Sequence, residues 1–161
     1  MATDLELIKL LAFGDLEREL TVTRAVLDRL PEDRYDWKPH EKSMTLGRLA
    51  MHVATMPDWE RSTLATDDLD VSTMPQMPTH VTSRAQLLSV FDASVAALRK
   101  TVADFDVRQF ASNWTIRSGP QVMNTSPRTT VHRIWCLNHM VHHRGQLCLY
   151  LRLLNIPVPT I

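Results

Sequence analysis

The stretch "LNHMVHHRGQL", residues 137–147, sets three histidines inside a run that otherwise reads as apolar helix. Each residue of an α-helix advances about 100° and 1.5 Å, so His139 and His143 fall one turn apart, about 40° around and 6 Å along the axis. Both imidazoles can then reach one ion. His142 points about 100° away from His143, which makes it the poorer partner for His139. His132, two turns earlier, shares the face of His139 but sits about 10 Å away along the axis, a place that suits the rim of a site better than a ligand.

A catalytic zinc-like ion takes three protein ligands and keeps one position open. Two histidines on one helix are therefore one short, and in helical bundles the missing ligand comes from a facing helix. His52, in "LGRLAMHVATM", is the candidate, because the apolar residues around it assign that stretch to the interior, where an imidazole needs a partner. Taken alone, an HxxxH pair among seven histidines is a weak signal, and a single interior histidine is ordinarily a satisfied core residue. Their coincidence leaves a metal site and a pair of ordinary core and surface features as equal readings.

The rest of the chain reads as helices. One is predicted from Asp4 to Leu30, with Phe13, Leu16, Leu20, Leu27 and Leu30 at three-four spacing and Pro31 ending it. A turn-rich connection leads to a second from about Thr45 to Ala65, carrying Leu46, Leu49, Val53, Met56 and Trp59, with Pro57 expected to kink or interrupt it. An irregular loop is expected from Thr66 to Thr82, including Met74-Pro75-Gln76-Met77-Pro78. A third helix spans about Ser83 to Ala103. The long connection Asp104 to Thr125 holds at most a short extended piece near Trp114. Ser126-Pro127 is read as the start of a last helix that runs to about Asn155. These elements predict a single all-α domain over residues 1–161, an up-and-down four-helix bundle with long irregular connections.

Composition agrees, with 44% hydrophobic and 22% charged residues. Eighteen basic and eighteen acidic side chains cancel with no block of like charge, so a polyanion-binding surface is lacking and nucleic acid is not an expected partner. Met1 to Glu6 lacks the pattern of a signal peptide, and no run approaches the roughly 18 apolar residues of a membrane span. A cytoplasmic protein without membrane contact is the expectation. Cys136 and Cys148 fall about 18 Å apart on one helix, which excludes a disulfide between them.

"NHMVHHRGQL" followed by "CLYLRLLNIPVP", with the upstream "TLGRLAMHVA", resembles the damage-inducible DinB-like superfamily, which includes bacterial thiol-dependent S-transferases. The resemblance covers nearly the whole chain. It implies a four-helix bundle, commonly a homodimer, in which three histidines hold a divalent metal, often zinc or nickel. By matching positions the ligands are His52, His139 and His143, while His142 occupies a variable place. It further implies an ion that activates a low-molecular-weight thiol cosubstrate for transfer to a small-molecule substrate. A non-enzymatic metal-binding or small-molecule-sensing bundle and a metal-dependent hydrolase are the alternatives. The hydrolase lacks the HExxH base, and the absence of ExxH argues against a di-iron bundle.

Around the ion, Trp59, His132, Trp135, Cys136, Gln146 and Tyr150 are the candidates for a pocket. Trp135, Cys136, Gln146 and Tyr150 fall within about 80° of the direction of His139. Aromatic residues on such a face are ordinarily core. Cys136 is a candidate fourth ligand, although a buried cysteine ordinarily acts as a small hydrophobe. Arg144 is expected to pair with Asp15 or Glu19, and Asp58 and Glu60 to sit in solvent near the mouth. Leu137, Val141 and Cys148 make the last helix apolar on a second side, which must be covered by a neighbouring helix or a second subunit.

Overall fold

The computed structural model describes residues 3–74 and 81–160 and divides the first predicted helix in two. Helix α1 (Asp4–Phe13) starts with a capping box, in which the Thr3 hydroxyl accepts from the Glu6 N–H and the Glu6 carboxylate accepts from the Thr3 N–H. It ends at Gly14, where a Cβ would stand 2.5 Å from the Leu10 carbonyl oxygen. Helix α2 (Leu16–Asp28) then buries Leu16, Leu20, Val26 and Leu27, whereas α1 buries nothing. The three-four spacing of Phe13, Leu16 and Leu20 runs straight across the break, which is why periodicity alone conceals it.

Helix α3 (Leu46–Ala65) is capped by Thr45, whose hydroxyl accepts from the Arg48 N–H. The expected interruption at Pro57 does not occur. Pro57 is itself buried in the core-facing side of an unbroken helix, and packing there outweighs one missing backbone bond. Helix α4 (Arg84–Asp104) follows, with Ser83 accepting from the Gln86 N–H as its cap.

Three short strands correct the all-α expectation. Strand β1 (Asp68–Asp70) pairs in parallel with β2 (Asn113–Ser118), which pairs antiparallel with β3 (Gln121–Pro127). Gly119, at φ 56°, opens the two-residue turn between β2 and β3. Arg117 ties the sheet together, its guanidinium bonding Asp68 at 2.7 Å and also Asp70. Hydrogen bonds from Ser72 and from the Gly119 N–H, with Arg117 beside them, hold the Asp70 carboxyl down at about 2. Residues 75–80, which include Pro75-Gln76-Met77-Pro78 of the predicted loop, lie outside the described residues.

The last helix does not start at Ser126-Pro127, because those residues pair with Trp114 and Asn113 in the sheet. It begins with the single turn α5 (Arg128–Thr130), passes through a π-helical stretch at Val131–Leu137, and continues as α6 (Asn138–Leu153). Arg128 is buried and donates to the carbonyls of Thr63, Leu64 and Thr66, so it caps the end of α3. Trp114, Ile116, Val131 and Cys136 form a small apolar cluster under the sheet, with Trp59 against it.

Helices α2, α3, α4 and α6 enclose the main core. Ion pairs Glu17–Arg99 and Arg24–Asp92 run in opposite senses along α2 and α4. Contacts Met44–Tyr150, His52–His143 and Glu60–His132 do the same for α3 and the last helix. Simple alternation would make the first and third helices parallel, and likewise the second and fourth. Both α3 and α4 instead start at the end where α2 finishes, as Gly47 N–H to Tyr35 and Arg84 N–H to Glu32 show. The order is up, down, down, up, and the connection between α3 and α4 joins opposite ends of the bundle. Among the described residues no helix is long and apolar enough to cross a membrane.

Candidate metal centre

Helix α3 brings His52 against the one-turn pair His139 and His143 of α6. One ring nitrogen from each of the three lies within 4.8 Å of the others, a set that could hold a metal ion. Ring centroids are 4.7 Å apart for His52 and His143, 5.3 Å for His52 and His139, and 4.5 Å for His139 and His143. His143 is buried and the other two are half-buried. His142 meets His143 edge-on, with ring centroids 5.0 Å apart, but is exposed and outside the set.

The hydrogen bonds on the far side of each ring define the near side. The Nδ1–H of His143 donates to Oε1 of Gln146 at 2.7 Å, and the Nδ1–H of His139 donates to the Trp135 carbonyl at 3.3 Å. A neutral imidazole has one N–H, so both Nε2 atoms then carry lone pairs. Those two Nε2 atoms stand 2.7 Å apart. Two lone pairs at that separation repel unless a cation or a proton lies between them. The geometry is thus a site in want of positive charge, in a place where protonation is disfavoured. Burial first, then the neighbouring His143 and His139 and the Arg48 charge, holds the His52 imidazole down at about 4. Burial also lowers His143, against the opposing effect of its bond to Gln146.

Gln146 thus touches a candidate ligand directly, and Trp135 does so through its backbone while its indole is 41% exposed. Tyr150 is buried one turn further on, donating to the Met44 carbonyl at 3.2 Å and packing edge-on against Trp37. Cys136 is turned away, its sulfur 3.7 Å from the Thr63 hydroxyl and its thiol pushed well up by burial. Trp59 packs with it under the sheet. Cys136 is not in the three-histidine set. Cys148 is likewise a buried free thiol.

His132 belongs to a different cluster. Its Nε2–H donates to the Ala12 carbonyl at 3.1 Å, its Nδ1 lies 2.9 Å from a Glu60 oxygen, and Phe13 and Phe110 flank the ring. It borders a separate cavity of about 260 Å³ beneath α1. The π-helical stretch explains the departure: bonding from i to i+5 winds fewer degrees per residue, so the face shared by His132 and His139 in a regular helix is lost. Glu60 is 3% exposed rather than in solvent. The sequence points Glu60 to solvent because its partner, His132, sits seventy-two positions away.

Arg144 meets Glu19, as one of its two expected pairings, at 2.6 Å, and donates also to the Glu19 carbonyl and the Thr23 hydroxyl. This buried clamp fixes α6 to α2 directly beside His143. Of the second apolar side of the last helix, Leu137 and Cys148 are covered within the chain, while Val141 is exposed.

The fold recurs in solved structures. A DinB-like protein from Bacillus cereus superposes with a TM-score of 0.69 at 18% identity, covering 93% of this chain and 95% of that one. A DinB-like protein from Bacillus subtilis gives 0.69 at 15% identity, with 93% and 96% covered. A protein assigned to the DinB family from Exiguobacterium sibiricum gives 0.68 at 20% identity, with 99% and 98% covered. No curated protein matches the chain. The sequence pattern of the DinB family matches residues 2–161, and with the bundle and its histidine cluster on facing helices, the chain belongs to the DinB family.

Proposed function

We propose that His52, His139 and His143 bind a divalent metal ion, zinc or nickel, and that the protein is a metal-dependent thiol S-transferase acting on a small-molecule electrophile. The observation that carries the metal is the 2.7 Å approach of the His139 and His143 Nε2 atoms with both Nδ1 hydrogens committed elsewhere. Two nitrogens bound at 2.0 to 2.1 Å in tetrahedral geometry lie roughly 3.3 Å apart, so a small rotation of the rings admits an ion. Three imidazole nitrogens are a donor set suited to zinc or nickel.

When bound, the ion supplies Lewis acidity that lowers the pKa of a thiol. The chain's own part is to hold the ligands. Gln146 and the Trp135 carbonyl fix the tautomers of His143 and His139, and the Arg144–Glu19 clamp fixes the helix that carries both. With Cys136 turned towards Thr63, three protein ligands converge among the described residues, and an open position favours chemistry over a closed structural site. In the same reading, Ile134, Val141 and Leu149, exposed on the outward side of the last helix, meet a second copy in a two-fold dimer in the cytoplasm.

Metal analysis of the purified protein beside His52→Ala and His139→Ala tests the site, with near-stoichiometric metal expected in the wild type alone. A panel of low-molecular-weight thiols with a generic electrophile then tests the activity. Metal without any thiol-dependent turnover would leave a binding protein and remove the transferase reading.

A further inference from the structure

Arg48 sits four residues before His52 on α3, which places the two one turn apart on the same side of the helix. Contacts of Met44 with Tyr150 and of His52 with His143 bracket it along the groove between α3 and α6. Three features set it apart from an ordinary surface arginine.

Its position opposes the helix. Arg48 is the third residue of α3, where the aligned peptide dipoles place partial positive charge and an acidic side chain is favoured, and the first turn of α3 contains no acid. Its guanidinium is exposed and, among the described residues, has no hydrogen bond or ion pair. It stands next to the metal centre: one helical turn, about 6 Å along the axis of α3, separates it from His52.

A divalent ion on three neutral imidazoles, with a guanidinium one turn away, concentrates positive charge in one groove. Like charges at that separation weaken metal binding. An anion brought in by a ligand offsets that repulsion, so the groove is electrostatically suited to an anionic ligand. A planar guanidinium with free N–H donors is suited to a carboxylate, which it can engage through two parallel bonds.

We propose that Arg48 is the anion-recognition residue of this groove, binding the carboxylate of a small acidic ligand whose other end reaches the three histidines. On the transferase reading, on which this identification of the ligand rests, that ligand is a thiol carrying a carboxylate about three carbons from sulfur or further.

The test is calorimetric titration of the zinc-loaded wild type, Arg48→Lys and Arg48→Gln with 3-mercaptopropionate and with its neutral counterpart 3-mercaptopropan-1-ol. The wild type should bind the acid about tenfold more tightly than the alcohol, a difference typical of one charge-assisted contact. Arg48→Lys should keep much of that preference and Arg48→Gln none, with equal zinc content in all three proteins. A preference that survives in Arg48→Gln, or none in the wild type while both thiols bind, overturns the proposal and leaves the thiol reading standing. If neither thiol binds, the thiol reading fails, and glutarate against glutaramide decides Arg48 separately. An Arg48-dependent preference for the diacid sustains the proposal, and its absence overturns it.

Discussion

Gln146 accepts the Nδ1–H of His143 at 2.7 Å and so turns the other nitrogen of that ring, as an unprotonated lone pair, towards His139 and His52. A ligand's outer hydrogen bond sets both its tautomer and its orientation, and removing such a partner costs metal affinity about 10- to 100-fold. Gln146→Leu should therefore weaken zinc binding by that factor in a chelator competition while leaving the stoichiometry of one ion per chain unchanged. An affinity equal to wild type would show that the bond does not orient the ring.

Metal should stabilise the fold. A ligand present at a hundred times its Kd contributes about 2.7 kcal/mol, which for a domain of this size raises the thermal midpoint by roughly 5–10 °C. Zinc added to the metal-free wild type should produce that shift. His52→Ala and His139→Ala should show none, measured by calorimetry with and without chelator.

The metal-free protein should lose stability in weak acid. His52 in the fold is held at about 4, below its ordinary value of 6.5, so in between the unfolded chain binds a proton that the folded chain refuses. Stability then falls as pH drops from about 6.5 towards 4 and is unaffected by this group above that window. Urea midpoints at pH 7 and pH 4.5 in the presence of chelator should differ, and His52→Ala should reduce the difference. An unchanged pH dependence in the variant would place the titration elsewhere.

Removing one member of the Arg144–Glu19 pair leaves a buried charge without its partner. Arg144→Met should destabilise the fold by about 3–5 kcal/mol, and Glu19→Met combined with it should recover most of the loss, because an apolar pair of similar volume replaces a buried ion pair at little cost. Chemical denaturation of the two single variants and the double variant forms the cycle that measures this.

Much of the bundle was legible because its evidence is local. The periodicity of Leu88, Phe91, Val95 and Leu98 placed α4 to within a residue or two, and the one-turn spacing of His139 and His143 needed nothing beyond helix geometry. The sheet was not legible. Strand β1 is three residues long, its pairing partner lies more than forty residues away, and β3 is largely polar, so no window of sequence carries a strand signal strong enough to compete with a loop. The break at Gly14 escaped for the opposite reason, since the apolar spacing continues through it.

The sequence by itself determined which side chains could serve together within one helix, because their relative placement follows from chain geometry alone: His139 with His143, and His142 apart. Tertiary structure decided everything that depends on which helix faces which. It set His52 against that pair, buried Glu60 with His132, turned Cys136 towards Thr63, aligned Arg144 with Glu19, and left the Arg48 guanidinium exposed, with no partner among the described residues. Those relations arise from the packing of α3 against α6 and from the π-helical stretch that rotates His132 out of register. Long-range burial and one irregular turn fix them, and neither leaves a periodic trace in the chain.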